Sequence, residues 1–591
     1  MKNLIESKKN TLIGVLFGFL LFGLVLINLN FRKNHYQEID SYISYAMMED
    51  GIRLLPGYLS NSYHSAPSVF TVSVKTLLDH TPEWVISILD KGEIKTSLLR
   101  KTRLENKVGL RELITIAVEK KIITENINIH AAYRSLLATL IEHSAAPELV
   151  KRAMIYPLAT TFSIGPGLIY SVIYQWIREY EDFKNSVLFI TLAFHYIACL
   201  SLFFVFKEIK LAPIVTISIP LWYSLSLSNV SYAMHMGCYG WNTATVTILT
   251  GLAMVLVKKD RIEIAYYASA IGMLFSYMSI LIFFPMLAYI LYSRLVGRNG
   301  LSLPSVGRIY FTAILVLVYL ILFFQPGQGT KVPSAPDRWV IDYPYFIVLN
   351  IFSVFNLNLN LLKTVQLIIP LMLIFMYFSG VARIGKFLGK EYFIPFIVLL
   401  IYLILWTFGL LNPIPSRHVL FLSGPLYIIC GIGMSFSLAR INSNLCKIGI
   451  YIITGVFIIT ALLYIPIRQM QVNSVYPAKY FTTSTIWVPE TGLPFLWMFG
   501  DVHRSVKGRN IGITDGDYLY VSESRSLDDF LDKCDIKKTD NCPANIKQLE
   551  SLDTLSLSNP HGNLAYPYLP NSEQFPFNAT QKLFLSKISF R

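Results

Sequence analysis

Uncharged apolar runs recur along this chain and restrict its architecture more than any other feature. Several approach the roughly 20 residues that a helix needs to cross the hydrocarbon layer of a membrane. Only 15% of the 591 residues are charged and 53% are hydrophobic, whereas a soluble domain carries about 25% charged residues. The runs predict a polytopic α-helical membrane protein, and they exclude a disordered chain, a collagen and a small disulfide scaffold.

Basic residues between the runs predict how the chain is oriented. The first run, 11–31, follows Lys2, Lys8 and Lys9. Later clusters comprise Lys207 and Lys210; Lys258, Lys259 and Arg261; Arg294, Arg298 and Arg308; Arg383, Lys386 and Lys390; and Arg440 and Lys447. Because basic residues collect in cytoplasmic loops, we expect these clusters and the N-terminus inside, with about 11 transmembrane helices. The net charge of +14 is then explained by basic loops that face the anionic lipids of the membrane. We therefore expect no nucleic-acid partner.

Two stretches depart from a simple succession of long spans. Residues 262–293 must cross the membrane twice, which predicts two short helices or a break around 275–279. Residues 156–177 are apolar enough to cross, but a crossing there would move every later basic cluster to the outside. We therefore expect 156–177 to form a helix on the outer membrane surface.

Four regions follow from this topology. They are a cytoplasmic N-terminus with the first span, 1–31; a first extracytoplasmic loop, 32–185; a transmembrane core, 186–466; and an extracytoplasmic C-terminal domain, 467–591. Within the first loop, 110–121 has apolar residues on one helical face. The tail combines short alternating runs with turn signals, which predicts a small α/β domain.

Cysteine, histidine and asparagine residues give weaker signals. The three cysteines Cys199, Cys238 and Cys430 lie in or near apolar runs, so we expect them to be packing residues. Pairing of Cys534 with Cys542 in the tail is left open. His195 lies within a span, where we expect a buried, hydrogen-bonded histidine rather than a catalytic one. The sequon at Asn229 is expected to face outside.

Two carboxylates follow the first span closely, at Glu38 and Asp40. A carboxylate at the boundary between lipid and water can act as a base towards an acceptor hydroxyl. The charge pattern alone also fits a solvated loop in which Asp40 caps a helix, and it does not separate the two interpretations.

The segment 38–63 resembles the first outer loop of GT-C-fold glycosyltransferases, particularly the aminoarabinose-transferase and protein-O-mannosyltransferase-like group. The matching positions, in family order, are Asp40, Tyr42, Ala46, Met48, Gly51, Pro56 and Tyr63. The second acid of the usual adjacent pair is Ser41 here. Two weaker similarities are 268–277, which resembles a broken helix pair, and Arg417-His418, which resembles the Arg-containing start of a late span.

The resemblance implies a glycosyltransferase of the bacterial inner (plasma) membrane that acts in the cell envelope. It would move a sugar from a polyprenyl-phosphate donor to a glycan, lipid or protein acceptor on the outer face. The implied catalytic residues are Asp40 and Glu38. Arg417 is the implied ligand of the donor phosphate, His418 could add a donor, and Tyr63 belongs to the matching motif. In the loop 326–363, Lys331 and Arg338 could close over the phosphate, and Asp342 with its aromatic neighbours suits a sugar ring, although an ordinary loop is the more common origin of such residues. No metal-ligand set is expected; a divalent cation is left open.

Arg417 also has an ordinary interpretation, because an arginine at the end of a span reaches the membrane interface whatever the protein does. Two rival functions remain open as well. One is a polysaccharide polymerase or ligase, and the other is a flippase or transporter of lipid-linked sugars. A transporter predicts charged residues along a path through the membrane.

Overall fold

A computed structural model of the chain describes most of its helical part. The described residues are 71–91, 104–120, 125–159, 163–226, 229–230, 233–234, 236–295, 303–323, 389–407, 416–440, 443–470, 486–487, 518–522, 546–558 and 580–590, together with 14, 17, 18, 20, 23, 48, 95, 98, 99, 102, 375, 376, 378 and 382.

The described part of the first loop is mostly helical. Its elements are β1 (Thr71–Ser73), α1 (Val74–His80), α2 (Glu83–Lys91), α3 (Leu110–Glu119), β2 (Asn126–Asn128), α4 (Ile129–Glu142), α5 (Glu148–Ala159) and α6 (Ile164–Trp176). The helix predicted over 110–121 is confirmed as α3, and it buries Leu110, Leu113 and Ala117. Strands β1 and β2 pair antiparallel, with Thr71 opposite Asn128, so they join the two ends of the helical segment between them.

The prediction of one helix over 156–177 is wrong, because α5 ends at Ala159 and α6 begins at Ile164. Ser163 is in an extended conformation immediately before α6. Pro157 lies in the last turn of α5, where it has no N–H to donate. The two helices pack on each other, and the ring of Tyr156 meets that of Tyr170 edge-on at 5.6 Å.

The remaining helices form a bundle. They are α7 (Tyr180–Glu208), α8 (Pro213–Leu225), α9 (Cys238–Lys258), α10 (Ile262–Gly272), α11 (Ile280–Leu295), α12 (Leu303–Phe323), α13 (Ile394–Thr407), α14 (Ser423–Arg440) and α15 (Ser443–Met470). In the described part of the chain, four helical stretches are long and apolar enough to cross a membrane: Asp182–Glu208, Cys238–Lys258, Val306–Phe323 and Val419–Leu438. They overlap four of the apolar runs of the sequence, 186–206, 243–257, 309–325 and 418–438.

Several predicted basic clusters meet at one end of this bundle, which we call the basic end. Lys259 pairs with Glu208 at 3.3 Å, and Lys390 pairs with Asp260 at 3.6 Å. The turn before α8 joins the same end, since the N–H of Ala212 donates to Ser435 Oγ at 3.0 Å. These three contacts bring together helix ends that the basic clusters predict to lie on one side.

Helices α7 and α9 both terminate at the basic end, and each is followed by a non-glycine residue with positive φ. These residues are Lys210 (φ 60°) and Asp260 (φ 55°). Each is followed by a backbone hydrogen bond that closes the helix end, from Leu211 N to Phe206 O at 3.0 Å and from Arg261 N to Leu256 O at 2.8 Å. The left-handed conformation costs about 1 kcal/mol outside glycine, and the hydrogen bond of the Schellman motif offsets it.

The break predicted around 275–279 is confirmed. Helix α10 ends at Gly272, a 3₁₀ turn covers Tyr277–Ser279, and α11 begins at Ile280. Ser276 caps the turn by accepting from Met278 N at 3.2 Å. Because α10 and α11 pack side by side with Tyr266 stacked on Phe283 at 4.9 Å, they form a helical hairpin with its tip at 273–279.

Beyond Met470 the described backbone consists of strands. They are β3 (Ile486–Trp487), β4 (Tyr518–Ser522), β5 (Ile546–Ser558) and β6 (Thr580–Phe590), in the sheet order β3-β4-β6-β5. The β3–β4 pair is parallel, and the other two pairs are antiparallel. The small α/β domain stays a prediction, and Cys534 and Cys542 lie outside the described residues.

Candidate functional site

Opposite the basic end, the first-loop helices cover the bundle through a second hydrophobic core, which we call the roof cluster. Its buried members come from the helices α4, α5 and α6, the starts of α7 and α9, the hairpin tip and the end of α12. It also contains Met48 from the segment 38–63, and Leu420, which lies just before α14. Two distant parts of the sequence that carry predicted site residues therefore contribute to one core.

Two described residues that lie before and after the predicted acids in sequence, Phe17 and Met48, contact opposite ends of the bundle. Near the basic end, Phe17 stacks on Phe203 of α7 with ring centroids 4.9 Å apart. In the roof cluster, Met48 is fully buried and Ser171 Oγ contacts its Sδ at 3.5 Å. Val187 of α7 also belongs to that cluster, and Phe203 lies 16 positions after it, a separation of about 24 Å along a helix with a rise of 1.5 Å per residue. Residues 17 and 48 thus lie at opposite ends of α7.

A 3₁₀ helix, Ser416–Leu422, carries the backbone of Arg417 and His418. Runs of 3₁₀ helix beyond three or four residues are uncommon, and this one lies between Pro415 and Pro425. Leu420 is 1% exposed in the roof cluster. The 3₁₀ helix therefore meets the bundle at the roof end, one turn after Arg417.

The start of α14 fixes this 3₁₀ helix against α9. Ser423 Oγ accepts a hydrogen bond from Asn229 Nδ2 at 2.9 Å. Gly424 lies directly on Thr247, so that an added Cβ would come within 2.2 Å of Thr247 Oγ1. A glycine is required at this contact because the two helices approach too closely for a side chain.

The remaining predicted site residues are not part of the described structure. Glu38, Asp40, Tyr63, Lys331, Arg338 and Asp342 all lie outside the described residues, and the side chains of Arg417 and His418 are also outside them. What the structure brings together is Met48, eight residues after Asp40, and Leu420, three residues after Arg417.

The roof helices are attached directly to the hairpin tip. The N–H of Gly165 donates to Leu274 O at 2.6 Å. At the same tip, Ser276 Oγ donates to Asn242 Oδ1 at 2.7 Å, and Tyr319 OH donates to Met273 O at 3.3 Å. The hairpin tip therefore holds α6, α9 and α12 together beneath the roof.

Replacing Gly165 with alanine should loosen the roof. An added Cβ would lie 2.6 Å from the backbone oxygen of Leu274, and a backbone atom cannot turn aside as a side chain can. We expect a loss of about 1–3 kcal/mol, typical of overpacking, measured as a lower thermal-unfolding midpoint in detergent. Gly109→Ala is the matched control, since a Cβ at Gly109 meets no atom within 4 Å. Equal midpoints for the two variants would contradict the docking described here.

The cysteine and histidine predictions agree with the structure. Cys199, Cys238 and Cys430 are free and buried. His195 is 2% exposed and stacks on Tyr223 with ring centroids 5.3 Å apart. Its Nε2 lies 3.9 Å from Cys199 Sγ, so this histidine is packed in the bundle core.

The side of the membrane that the sequon at Asn229 faces stays a prediction, but the Asn229 side chain is not accessible. Asn229 is 2% exposed, and its amide donates to Tyr223 O at 3.2 Å as well as to Ser423. The sequon signal is local, whereas the burial of Asn229 depends on the distant start of α14.

One charged residue at the roof end was missed by the sequence analysis. Lys184 in the second turn of α7 is 1% exposed, next to Phe183 of the roof cluster. The sequence did contain a signal for this burial. Lys184 lies on the same helical face as Leu188, four residues later, and as His195. Within the described residues, no group of three or more His, Cys, Asp or Glu side chains could hold a metal ion.

No protein-family model matches the chain, and no curated protein sequence matches it. The class of the protein therefore follows from the described fold alone. It is a helical protein, and four of its described helices are long and apolar enough to cross a membrane.

Proposed function

We propose that this protein is a GT-C-type glycosyltransferase of the cell membrane, which moves a sugar from a polyprenyl-phosphate donor to an acceptor on the outer face. The observation that carries the proposal is the joint burial of Met48 and Leu420 in the roof cluster. These two residues come from the acidic segment and from the helix that bears Arg417, the two motifs expected to supply the base and the phosphate ligand.

The proposed reaction needs a carboxylate and a cation close together at the membrane boundary. The acceptor oxygen forms a bond to the anomeric carbon while the bond from that carbon to the phosphate oxygen breaks. The electron pair of the broken bond stays on the phosphate, and the acceptor proton passes to Asp40. Arg417 is suited to the phosphate because its guanidinium can bind two oxygens at once, and His418 and Lys331 would add donors.

The roof end suits a lipid-borne donor. A polyprenyl chain must remain in hydrocarbon, whereas its phosphate must stay at the boundary with water. The 3₁₀ helix bearing Arg417 starts α14, whose stretch Val419–Leu438 is long and apolar enough to cross the membrane. A phosphate bound at this helix start would therefore keep its lipid tail beside a membrane-spanning helix. Glu38 would assist Asp40, and Arg338, Asp342 and Tyr63 would contact the sugar.

The experiment is transfer of radiolabel from a set of polyprenyl-phosphate sugars in membranes that contain the protein. We expect one donor to lose its sugar to a glycan, lipid or protein only when the intact protein is present. Membranes with the Asp40→Asn variant serve as the control for other transferases. Absence of transfer from every donor, with the folded protein verified in the same membranes, would contradict the proposal.

The same experiment separates the two rivals. A polysaccharide polymerase or ligase would transfer a preassembled glycan, so label from a single polyprenyl-phosphate sugar would stay on its lipid. A flippase would move labelled lipid across the membrane without breaking the sugar–phosphate bond. His195 gives the transporter little support, since its ring is packed against Tyr223 in the bundle core.

A further inference from the structure

Helix α6 carries an exposed row of apolar side chains at the roof end. None of its 13 residues is Asp, Glu, Lys or Arg, and four of them are exposed: Leu168, Val172, Gln175 and Trp176. Leu168 and Val172 are each 43% exposed, and Trp176 is 84% exposed. These three apolar residues, which we call the α6 stripe, are spaced by four positions and therefore lie on one helix face. A helix face in water normally carries charged residues, so the stripe indicates a partner other than water.

The contacts on the opposite face of α6 fix its level in the bundle. Tyr170 donates to Met236 O at 2.8 Å and accepts from Trp241 Nε1, in the first turn of α9, at 3.0 Å. Tyr174 meets Phe183, in the first turn of α7, edge-on at 6.0 Å. The 21 residues of α9 measure about 30 Å, which is the thickness of the hydrocarbon layer. Because α6 passes the first turns of both helices, it lies at the level where that layer ends.

The α6 stripe continues the outer surface of the helical hairpin. Gly165 contacts the hairpin tip through the hydrogen bond from its N–H to Leu274 O at 2.6 Å. Leu168 and Val172 follow Gly165 by three and seven positions, so the face that contacts the tip is the face that becomes exposed further along α6. Leu274 itself is 42% exposed, and Ile271 at the end of α10 is 61% exposed. Exposed apolar side chains of the hairpin therefore adjoin the stripe.

Helix α12 extends the same apolar surface into the membrane. The N–H of Ile164, the first residue of α6, donates to Tyr319 OH of α12 at 3.4 Å. On α12, Ile314, Val318 and Ile321 are 57%, 45% and 57% exposed. They belong to a stretch that is long and apolar enough to cross a membrane, where exposed apolar side chains contact lipid. The α6 stripe thus adjoins a surface that lipid covers.

We propose that α6 lies in the outer leaflet of the membrane, with Leu168, Val172 and Trp176 among the lipid acyl chains. Its 13 residues measure about 20 Å, too little to cross the hydrocarbon layer, so the helix lies along the boundary. Trp176 ends the helix, and indole rings are enriched at the membrane–water interface. The exposed Arg178 follows two residues later, where the chain returns to polar surroundings.

This lipid contact is narrower than the apolar run 156–177 suggests. Tyr156 and Leu158 of α5 are both 1% exposed and belong to the roof cluster, so that part of the run contacts protein. Only one face of α6 then contacts lipid. The inference rests on the packing of α6 alone and does not depend on the proposed sugar transfer.

The test is spin labelling of single cysteines in the full chain, with its native cysteines replaced by alanine, in lipid nanodiscs. Labels at Leu168→Cys and Val172→Cys are compared for collisions with oxygen, which dissolves in lipid, and with a nickel chelate, which stays in water. Ile314→Cys on α12 is the lipid reference, and Lys75→Cys is the water reference, since Lys75 is exposed in α1. We expect the ratio of oxygen to nickel collisions at 168 and 172 to match that at 314.

Nickel collisions at 168 and 172 as frequent as at 75 would place the stripe in water and overturn the proposal. Labels that meet neither reagent would show that protein covers the stripe, which also overturns it. The chain with its native cysteines gives an independent measurement, because lipids brominated on their acyl chains should quench Trp176. Trp176→Phe should then reduce the quenched part of the tryptophan emission, and an unchanged quenched part would overturn the proposal. Neither measurement requires sugar transfer, so a failed transfer assay would leave this inference untouched.

Discussion

Asp40→Asn is expected to lower the rate of sugar transfer by about 10²- to 10⁴-fold, the usual contribution of a positioned general base. The amide keeps the shape of the carboxylate but cannot accept the acceptor proton at neutral pH. Donor binding should persist, because we propose that Arg417, and not Asp40, binds the phosphate. The measurement is the initial rate of label transfer by purified protein at saturating donor, with the unfolding midpoint recorded in parallel.

The control for this substitution is Asp79→Asn, the same chemical change at an exposed position of the first loop. It should transfer sugar at the rate of the unaltered protein. Full activity in Asp40→Asn would remove Asp40 from the catalytic role. A rate lost together with the unfolding midpoint would show that Asp40 serves the fold instead.

Arg417→Lys is expected to weaken binding of the donor more than binding of the acceptor. Lysine keeps the positive charge but cannot bind two phosphate oxygens in one plane. Losing one charge-assisted hydrogen bond costs about 1.5–3 kcal/mol, which corresponds to a KM for the donor raised roughly 10- to 100-fold. The KM for the acceptor should change little. The measurement is a pair of saturation curves, one for each substrate.

Arg261→Lys provides the matched control, since Arg261 is an exposed arginine at the basic end, between α9 and α10. Arg261→Lys should leave both KM values unchanged. If Arg417→Lys behaves like this control, Arg417 is an ordinary interfacial arginine, and the site for the donor phosphate must be sought elsewhere.

The features predicted from sequence are those set by local pattern. Helix α3 was predictable because its apolar residues recur with helical spacing. The break before Tyr277 followed from length, since residues 262–293 are too few for two full spans. The grouping of the basic clusters 207–210 and 258–261 at one end followed from the apolar runs between them, and Lys259 pairs with Glu208 there. In the first two cases one segment of sequence carries the whole signal.

The features missed depend on contacts between distant segments. The division between α5 and α6 accommodates the hydrogen bond from Gly165 to Leu274, more than 100 residues further along the chain. Strand β1 has three residues and pairs with β2 more than 50 positions away, too short a run to show an alternating pattern. Asn229 looked accessible because nothing local reveals Ser423 as its partner.

The candidate site, too, was predictable from sequence only where a local motif marks it. The acids and Arg417 were named from motifs, whereas the proposal that they lie close together rests on two apolar residues, Met48 and Leu420, which share one core. Neither would be chosen as a site residue, because methionine and leucine take no part in transfer chemistry. Lys184 was overlooked because its burial arises from the roof helices packed over the start of α7.

The central claim is that the acidic segment and the helix start bearing Arg417 face each other at the roof end. Its most direct measurement is crosslinking of Asp40→Cys with Arg417→Cys by a short bismaleimide, in protein whose native cysteines are replaced by alanine. We predict an intramolecular crosslink for this pair and none for Asp40→Cys with Lys259→Cys, which lies at the basic end. Crosslinking of position 40 to position 259 and not to position 417 would contradict the account.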